Sequence, residues 1–198
     1  MRGFTLKQGA AQPINEPDGT MRICSLALLL MALAGPAAAQ MPPPQEWVRA
    51  DAATVRLRPS AIASIPSILQ AELQRRGCTI PQAFTGGPPH NVIRGHFRTG
   101  KIDWAVLCSR NRTSSILVFW SGLPTGASVL ASRRDADYLQ VTGPGRIGFS
   151  RMISVASPAH IRKPPPLDHD GIDDAFVEKA SVVWYFHRGL WLRLAGAD

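Results

Sequence analysis

The sequence predicts an α+β fold, an antiparallel β-sheet of about five to seven strands with one main helix packed on it. Three stretches carry that prediction. Residues 91–120 read as three successive strands, residues 64–77 place apolar side chains at helical spacing, and residues 181–195 form an aromatic-rich hairpin pattern.

The first two strands have a derivable register. Ile93, Gly95 and Phe97 fall on one face of 92–98, with Arg94, His96 and Arg98 on the other; in 102–108 the apolar set is Ile102, Trp104, Val106 and Cys108. A two-residue loop at Thr99 and Gly100 would pair Phe97 with Ile102, Gly95 with Trp104 and Ile93 with Val106. The same register sets His96 opposite Asp103 on a wet face. Residues 115–120 are apolar on both faces, which places that strand at the centre of the sheet. The polar connection 109–114 reads as a turn.

Export is written near the start. Arg22 precedes the short apolar run 23–34, and Gly35, Pro36 and Ala37 to Ala39 follow it, the layout of a secretory signal peptide cut near Ala39. The run is too short for a transmembrane helix. Met21 directly precedes Arg22, so the true start is expected there. The chain thus divides into a signal peptide at 1–39, an extended leader at 40–63 containing Pro42 to Pro44, and a single globular domain at 64–198, without a transmembrane segment after cleavage. Its expected location is periplasmic or secreted. Cys24 leaves with the signal, so Cys78 and Cys108 have only each other to pair with, and a disulfide contributing roughly 3 to 4 kcal/mol is expected.

The helix reads from Ser64 as cap, with Pro66 in the first turn and Ile65, Ile68, Leu69 and Leu73 on one face; Glu72 and Arg76 form an i, i+4 pair and Gly77 ends it. Beyond Trp120, strands are expected at 138–141 and 146–155, and a short helix at 175–179 capped by Asp173 or Asp174. The chain closes with strands 181–187 and 190–195 about a turn at Arg188 and Gly189, setting Trp184 opposite Arg193.

The chain carries 22 Lys plus Arg against 14 Asp plus Glu, a net charge of +8. Its arginines are scattered without a dense run, so no nucleic acid is expected; an anionic surface or another envelope protein is the partner that a basic face at Arg94, His96 and Arg98 would suit. Gly143, Gly145 and Gly148 spell G-x-G-x-x-G, but a dinucleotide site needs a helix to open there, and a strand is expected instead. Asp168, Asp170 and Asp174 in DHDGIDD are the calcium candidates. Placing Gly171 at loop position six leaves Pro166 and Val177 at positions one and twelve, where ligands are required, so no cofactor or metal is assigned.

No nucleophile elbow, H-E-x-x-H or paired-cysteine zinc spacing is present. The resulting expectation is an exported, non-enzymatic binding or interaction domain with no catalytic residues. The alternative is a hydrolase or metal-dependent enzyme using His96, Asp103 and His169.

Gly95, Phe97, Gly100, Asp103, Ala105 and Val106 resemble the G-x-F…G…D-x-A-V core of FG-GAP or VCBS-type repeats, propeller-blade elements of extracellular proteins. The resemblance is confined to this hairpin, occurs once, and implies a similar hairpin. Arg98 and Thr99 stand where the repeat has Asn and Asp ligands, so calcium binding does not carry over. More broadly, the chain resembles small exported proteins of Gram-negative bacteria.

Overall fold

The computed structural model describes residues 44–85, 87, 89–161 and 168–196. The signal peptide expected at 1–39 lies outside them, as do residues 162–167 with Pro164 to Pro166. In chain order the elements are helix α1 (Gln45–Ala53), β1 (Arg56–Leu57), helix α2 (Ser67–Arg75), β2 (Ile80–Pro81), β3 (Val92–Gly95), β4 (Asp103–Arg110), β5 (Thr113–Phe119) and β6 (Ser128–Arg134). There follow β7 (Leu139–Gly143), β8 (Arg146–Phe149), β9 (Arg151–Ala156), β10 (Gly171–Phe176), β11 (Ala180–His187) and β12 (Leu190–Ala195). The expected mixture of antiparallel sheet and helix is present, but among the described residues the strands number twelve, in four sheets, and the α-helices two.

Two four-stranded sheets, in the orders β3-β4-β5-β6 and β12-β11-β10-β9, form the body. Leu107, Ile116, Val118 and Leu130 of the first share one core with Ile153 and Ile172 of the second. The other face of the first sheet, through Val106, Cys108, Leu117 and Phe119, packs on Leu69 and Leu73 of α2. Both leucines are fully buried, each stabilising the fold by about 1.5 to 3 kcal/mol at most.

Helix α2 starts two residues later than its sequence pattern, with Pro66 rather than Ser64 at the cap position. Glu72 accepts from Arg75 at 2.7 Å and Arg76 at 2.6 Å, and these two guanidiniums hold its carboxyl down to about 2. The helix ends as the sequence indicates: Gly77 adopts φ 72°, its N–H reaches the Gln74 carbonyl and the Cys78 N–H reaches that of Leu73, both at 2.9 Å. This paired arrangement requires a left-handed residue after the cap. It aims Cys78 at the sheet, where it is bonded to Cys108.

The register of β3 and β4 differs by one residue from the sequence reading. Gly95 lies opposite Asp103, Ile93 opposite Ala105 and Val92 opposite Val106, while Ile102 precedes the strand. The reason is that β4 is buried on both faces: Trp104, Val106 and Cys108 go to the α2 core, Ala105 and Leu107 to the inter-sheet core. Alternation therefore could not decide which apolar set faced inward. β5 does lie inside its sheet, paired on both sides.

Three further expectations are corrected. The leader at 40–63 is not extended throughout, because Pro44 caps α1, a start that proline tolerates, and Trp47 and Ala50 pack on the inter-sheet core. The helix expected at 175–179 is the end of β10 and a turn, because Ala175 and Phe176 pair with Met152 and Arg151 on one side and with Ser181 and Ala180 on the other. The strand expected at 146–155 divides at Ser150, whose N–H reaches the Tyr138 carbonyl at 2.8 Å. The closing hairpin forms with Trp184 opposite Arg193 as expected.

Two buried polar residues lock the sheets together. Arg151, with no exposed surface, donates to both Asp174 oxygens at 2.8 and 2.9 Å, to the Ser114 carbonyl and hydroxyl at 3.0 Å each, and to the Ala131 carbonyl at 2.7 Å. A guanidinium has five N–H groups, and each has a partner. Asn91, also fully buried, donates to the Pro81 and Arg151 carbonyls at 2.6 and 3.1 Å and accepts the Ile153 N–H at 2.9 Å, joining the edge of β3 to β9.

Removing Arg151 strands the Asp174 carboxylate in the core, so Arg151→Ala is expected to cost about 3 to 5 kcal/mol in urea unfolding. A loss under about 1 kcal/mol would mean that the pair is not the lock described. Reduction of the Cys78–Cys108 bond should lower stability by roughly 3 to 4 kcal/mol, read as the difference between unfolding curves with and without dithiothreitol.

Candidate interaction surface

Strand direction places the loops. β3 runs into loop 96–102 and β5 into loop 120–127, so both lie at the same end of the first sheet. The Asp170 N–H, just before β10, reaches the His96 carbonyl at 2.8 Å, which puts the start of β10 at that end. β11 is antiparallel to β10, and its turn to β12 at Arg188 and Gly189 therefore lies there too.

Trp120 welds these loops. Its ring lies 4.8 Å from Phe186 and 5.6 Å from Trp191, and Phe186 and Trp191 are 5.3 Å apart across the β11–β12 hairpin. The Arg98 guanidinium sits 4.7 Å over the Trp120 ring and donates to the Ser121 hydroxyl at 3.0 Å. Ser121 is left-handed at φ 55°, a conformation uncommon outside glycine, and its N–H donates to Asp103 Oδ1 at 2.6 Å. The surface of this end carries Ile102, Leu123 and Leu190, respectively 50%, 57% and 68% exposed, beside the exposed cations Lys101 and Arg188. Of its carboxylates, Asp103 is buried and Asp170 accepts the His96 N–H at 2.9 Å, leaving Asp168 exposed among the described residues.

The sequence-derived site residues fare differently. Arg94, His96 and Arg98 do not form one alternating face: β3 ends at Gly95, Arg94 and His96 are exposed, and Arg98 folds back on Trp120. Gly95 rather than His96 lies opposite Asp103. A Cβ at Gly95 would sit 3.1 Å from Asp170 Oδ2 and 3.0 Å from the Phe97 ring, so the close approach of these segments needs glycine. His169 is buried, stacked 4.3 Å from Tyr185 at an interplanar angle of 11°, with Nδ1 3.0 Å from the Asp170 carbonyl.

The three calcium candidates are also committed elsewhere. Asp174 is held by Arg151, Asp170 by the His96 N–H and Asp168 by the Tyr185 hydroxyl at 3.0 Å, the last bond holding the Asp168 carboxyl below its usual range. Of the three, only Asp174 lies within strand β10, whose extended backbone, rising about 3.3 Å per residue, carries it along the sheet away from Asp168 and Asp170. Among the described residues no three His, Cys, Asp or Glu side chains form a metal-ligating group.

A cleft of about 440 Å³ lies between α1, Phe84 and β8, lined in part by Ala53, Leu57, His90, Ile147 and Phe149. None of His96, Asp103 and His169 lines it. Sequence reasoning missed Lys101, Ile102, Leu123, Arg188 and Leu190 as surface residues. The available signal was an isolated large aliphatic residue beside each turn, Leu123 following Ser121 and Gly122 and Leu190 following Arg188 and Gly189. No helix among the described residues is long and apolar enough to cross a membrane. Comparison with protein-family models, curated proteins and solved structures finds no match.

Burial pushes the Asp103 carboxyl above its usual value, against the pull of the Ser121 N–H and Arg98. Its neutral form therefore favours the folded state below about pH 4, and that stability is lost as pH rises through the raised value. Asp103→Asn keeps an acceptor for Ser121 and is expected to flatten the pH dependence of the urea midpoint above about pH 4. Parallel profiles for parent and variant would refute the assignment.

Proposed function

We propose that the chain is an exported, non-enzymatic binding domain, and that the end formed by loops 96–102 and 120–127 and the turn at 188–189 engages an anionic partner. The observation carrying this reading is the convergence of three loops on the Trp120 cluster, which presents Lys101, Arg188 and Arg98 on a rigid base. Rigid loops lose little conformational freedom on binding, which favours affinity. The disulfide suits an oxidising compartment. Hydrolysis through His96, Asp103 and His169 has less support, because Asp103 serves the Ser121 turn and His169 is stacked within the fold.

The test is charge reversal at the two exposed cations. Lys101→Glu with Arg188→Glu is expected to reduce retention on anionic matrices strongly, each cation contributing about 1 kcal/mol near such a surface, and to leave the thermal melt unchanged. Retention equal to the parent's on heparin and on anionic vesicles alike would overturn the proposal.

A further inference from the structure

This inference rests on the reading of the loop end as the binding surface and names its partner class. We infer that the partner is the surface of an anionic lipid bilayer, into which Ile102, Leu123 and Leu190 insert while Lys101, Arg98 and Arg188 face the headgroups.

Three observations lead there. First, the apolar side chains at this end stand on loops, as Ile102 and Leu123 do, or open a strand directly after a turn, as Leu190 does, where water-facing residues are ordinarily polar, and each is at least half exposed. The opposite end provides the contrast: its turns, at 111–112 and 177–179, expose Arg112, Glu178 and Lys179 and no large apolar side chain. These two turns thus lack the apolar tips of the loop end, although Val55, 59% exposed, stands on a loop elsewhere.

Second, the layer behind the tips is aromatic. Trp120, Phe186 and Trp191 are half-buried and mutually packed, with Arg98 over the Trp120 face. Indole rings backing aliphatic tips and flanked by cations match the successive chemistry of a bilayer boundary, from acyl chain through the interfacial zone to phosphate. An acidic polysaccharide would be held by the cations and would leave the aliphatic residues in water.

Third, the tips come from separate segments but are fixed relative to one another. Asp103, next to Ile102, accepts the Ser121 N–H, and the Leu123 N–H reaches the Trp120 carbonyl at 3.0 Å. Trp191, next to Leu190, stacks on Trp120. Anchors from three loops braced by one tryptophan can meet an extended surface together, and the favourable charge of Lys101 and Arg188 would act at the same time.

The experiment uses the purified exported chain with three probes: vesicles of phosphatidylcholine alone, vesicles of phosphatidylcholine with phosphatidylglycerol, and heparin-agarose. The parent is expected to co-sediment with the anionic vesicles and to shift its tryptophan emission to the blue. The variant Ile102→Ser/Leu123→Ser/Leu190→Ser is expected to lose vesicle binding by at least about tenfold while keeping its circular dichroism, its melt and any heparin retention. Vesicle binding by this variant equal to the parent's would overturn the lipid inference. So would retention of the parent by heparin without vesicle binding, an outcome that leaves the anionic-partner reading standing. Binding to neither probe would overturn both. Because the three residues are exposed, the substitutions leave the core unchanged, and a melt below the parent's would direct the same test to Leu123→Ser alone.

Discussion

The fold depends on a guanidinium buried between two sheets. Arg151 projects from β9, pairs with Asp174 on the adjacent strand and reaches across to Ser114 on β5 and Ala131 on β6. Such a charge is tolerated in a core only where every donor is satisfied, and the first sheet is deformed to meet that demand. The β5–β6 ladder slips between Ser114 and Ile116, and Ala131 on the bulged strand takes φ 51°. The bulge turns a carbonyl that would otherwise serve the ladder toward Arg151. Tyr138 closes the site with its ring 4.7 Å from the guanidinium. Alignment of the two sheets is thus set by directional bonds as well as by apolar packing.

A second ionic network fastens α1 to the same body. Arg56 donates to Asp51 at 2.7 Å and to Asp135 at 2.9 Å, and Arg112 reaches the other oxygen of Asp51 at 2.8 Å. Asp135 is fully buried and also accepts from the Ser109 hydroxyl at 2.6 Å. These contacts join segments far apart in sequence, which is why a helix with little apolar surface, Trp47 and Ala50 at its core, holds its place. The arginine content that gives the chain its basic charge is therefore partly internal. Arg56 and Arg151 are structural, and the cations left to face solvent at the loop end are fewer than composition suggests.

What was legible in the sequence was local. Leu69, Leu73 and Gly77 specify α2 and its end within one segment, and the turn at Arg188 and Gly189 specifies the last hairpin in the same way. With Cys24 assigned to the expected signal peptide, Cys78 and Cys108 were left one pairing. The register of β3 on β4 was not legible, because coverage of both faces removes the information that alternation carries, and Asp103, a charged residue, went inside with the apolar ones. α1 was hidden by the prolines before it and by an apolar face of only two residues. The surface proposed for binding was hidden for a different reason: Ile102 and Leu123 stand on two loops and Leu190 opens β12, and the Trp120 contacts bring these separate segments together. Arg98 was singled out from the sequence, but for a face that it does not share with Arg94.

Asn91 has a consequence for self-association. The outer strands of open sheets are templates on which a stray extended segment can polymerise. By bridging β3 to β9, Asn91 turns two such borders toward each other and removes both from reach. β6, a third border, carries the exposed Arg133 and, paired with Asp137 at 2.8 Å, Arg134, charged groups that disfavour an incoming copy. β12 remains, with Arg193 as its charged residue against Trp191, Leu192 and Leu194. At this border of the second sheet, protection against edge-to-edge pairing therefore falls to Arg193.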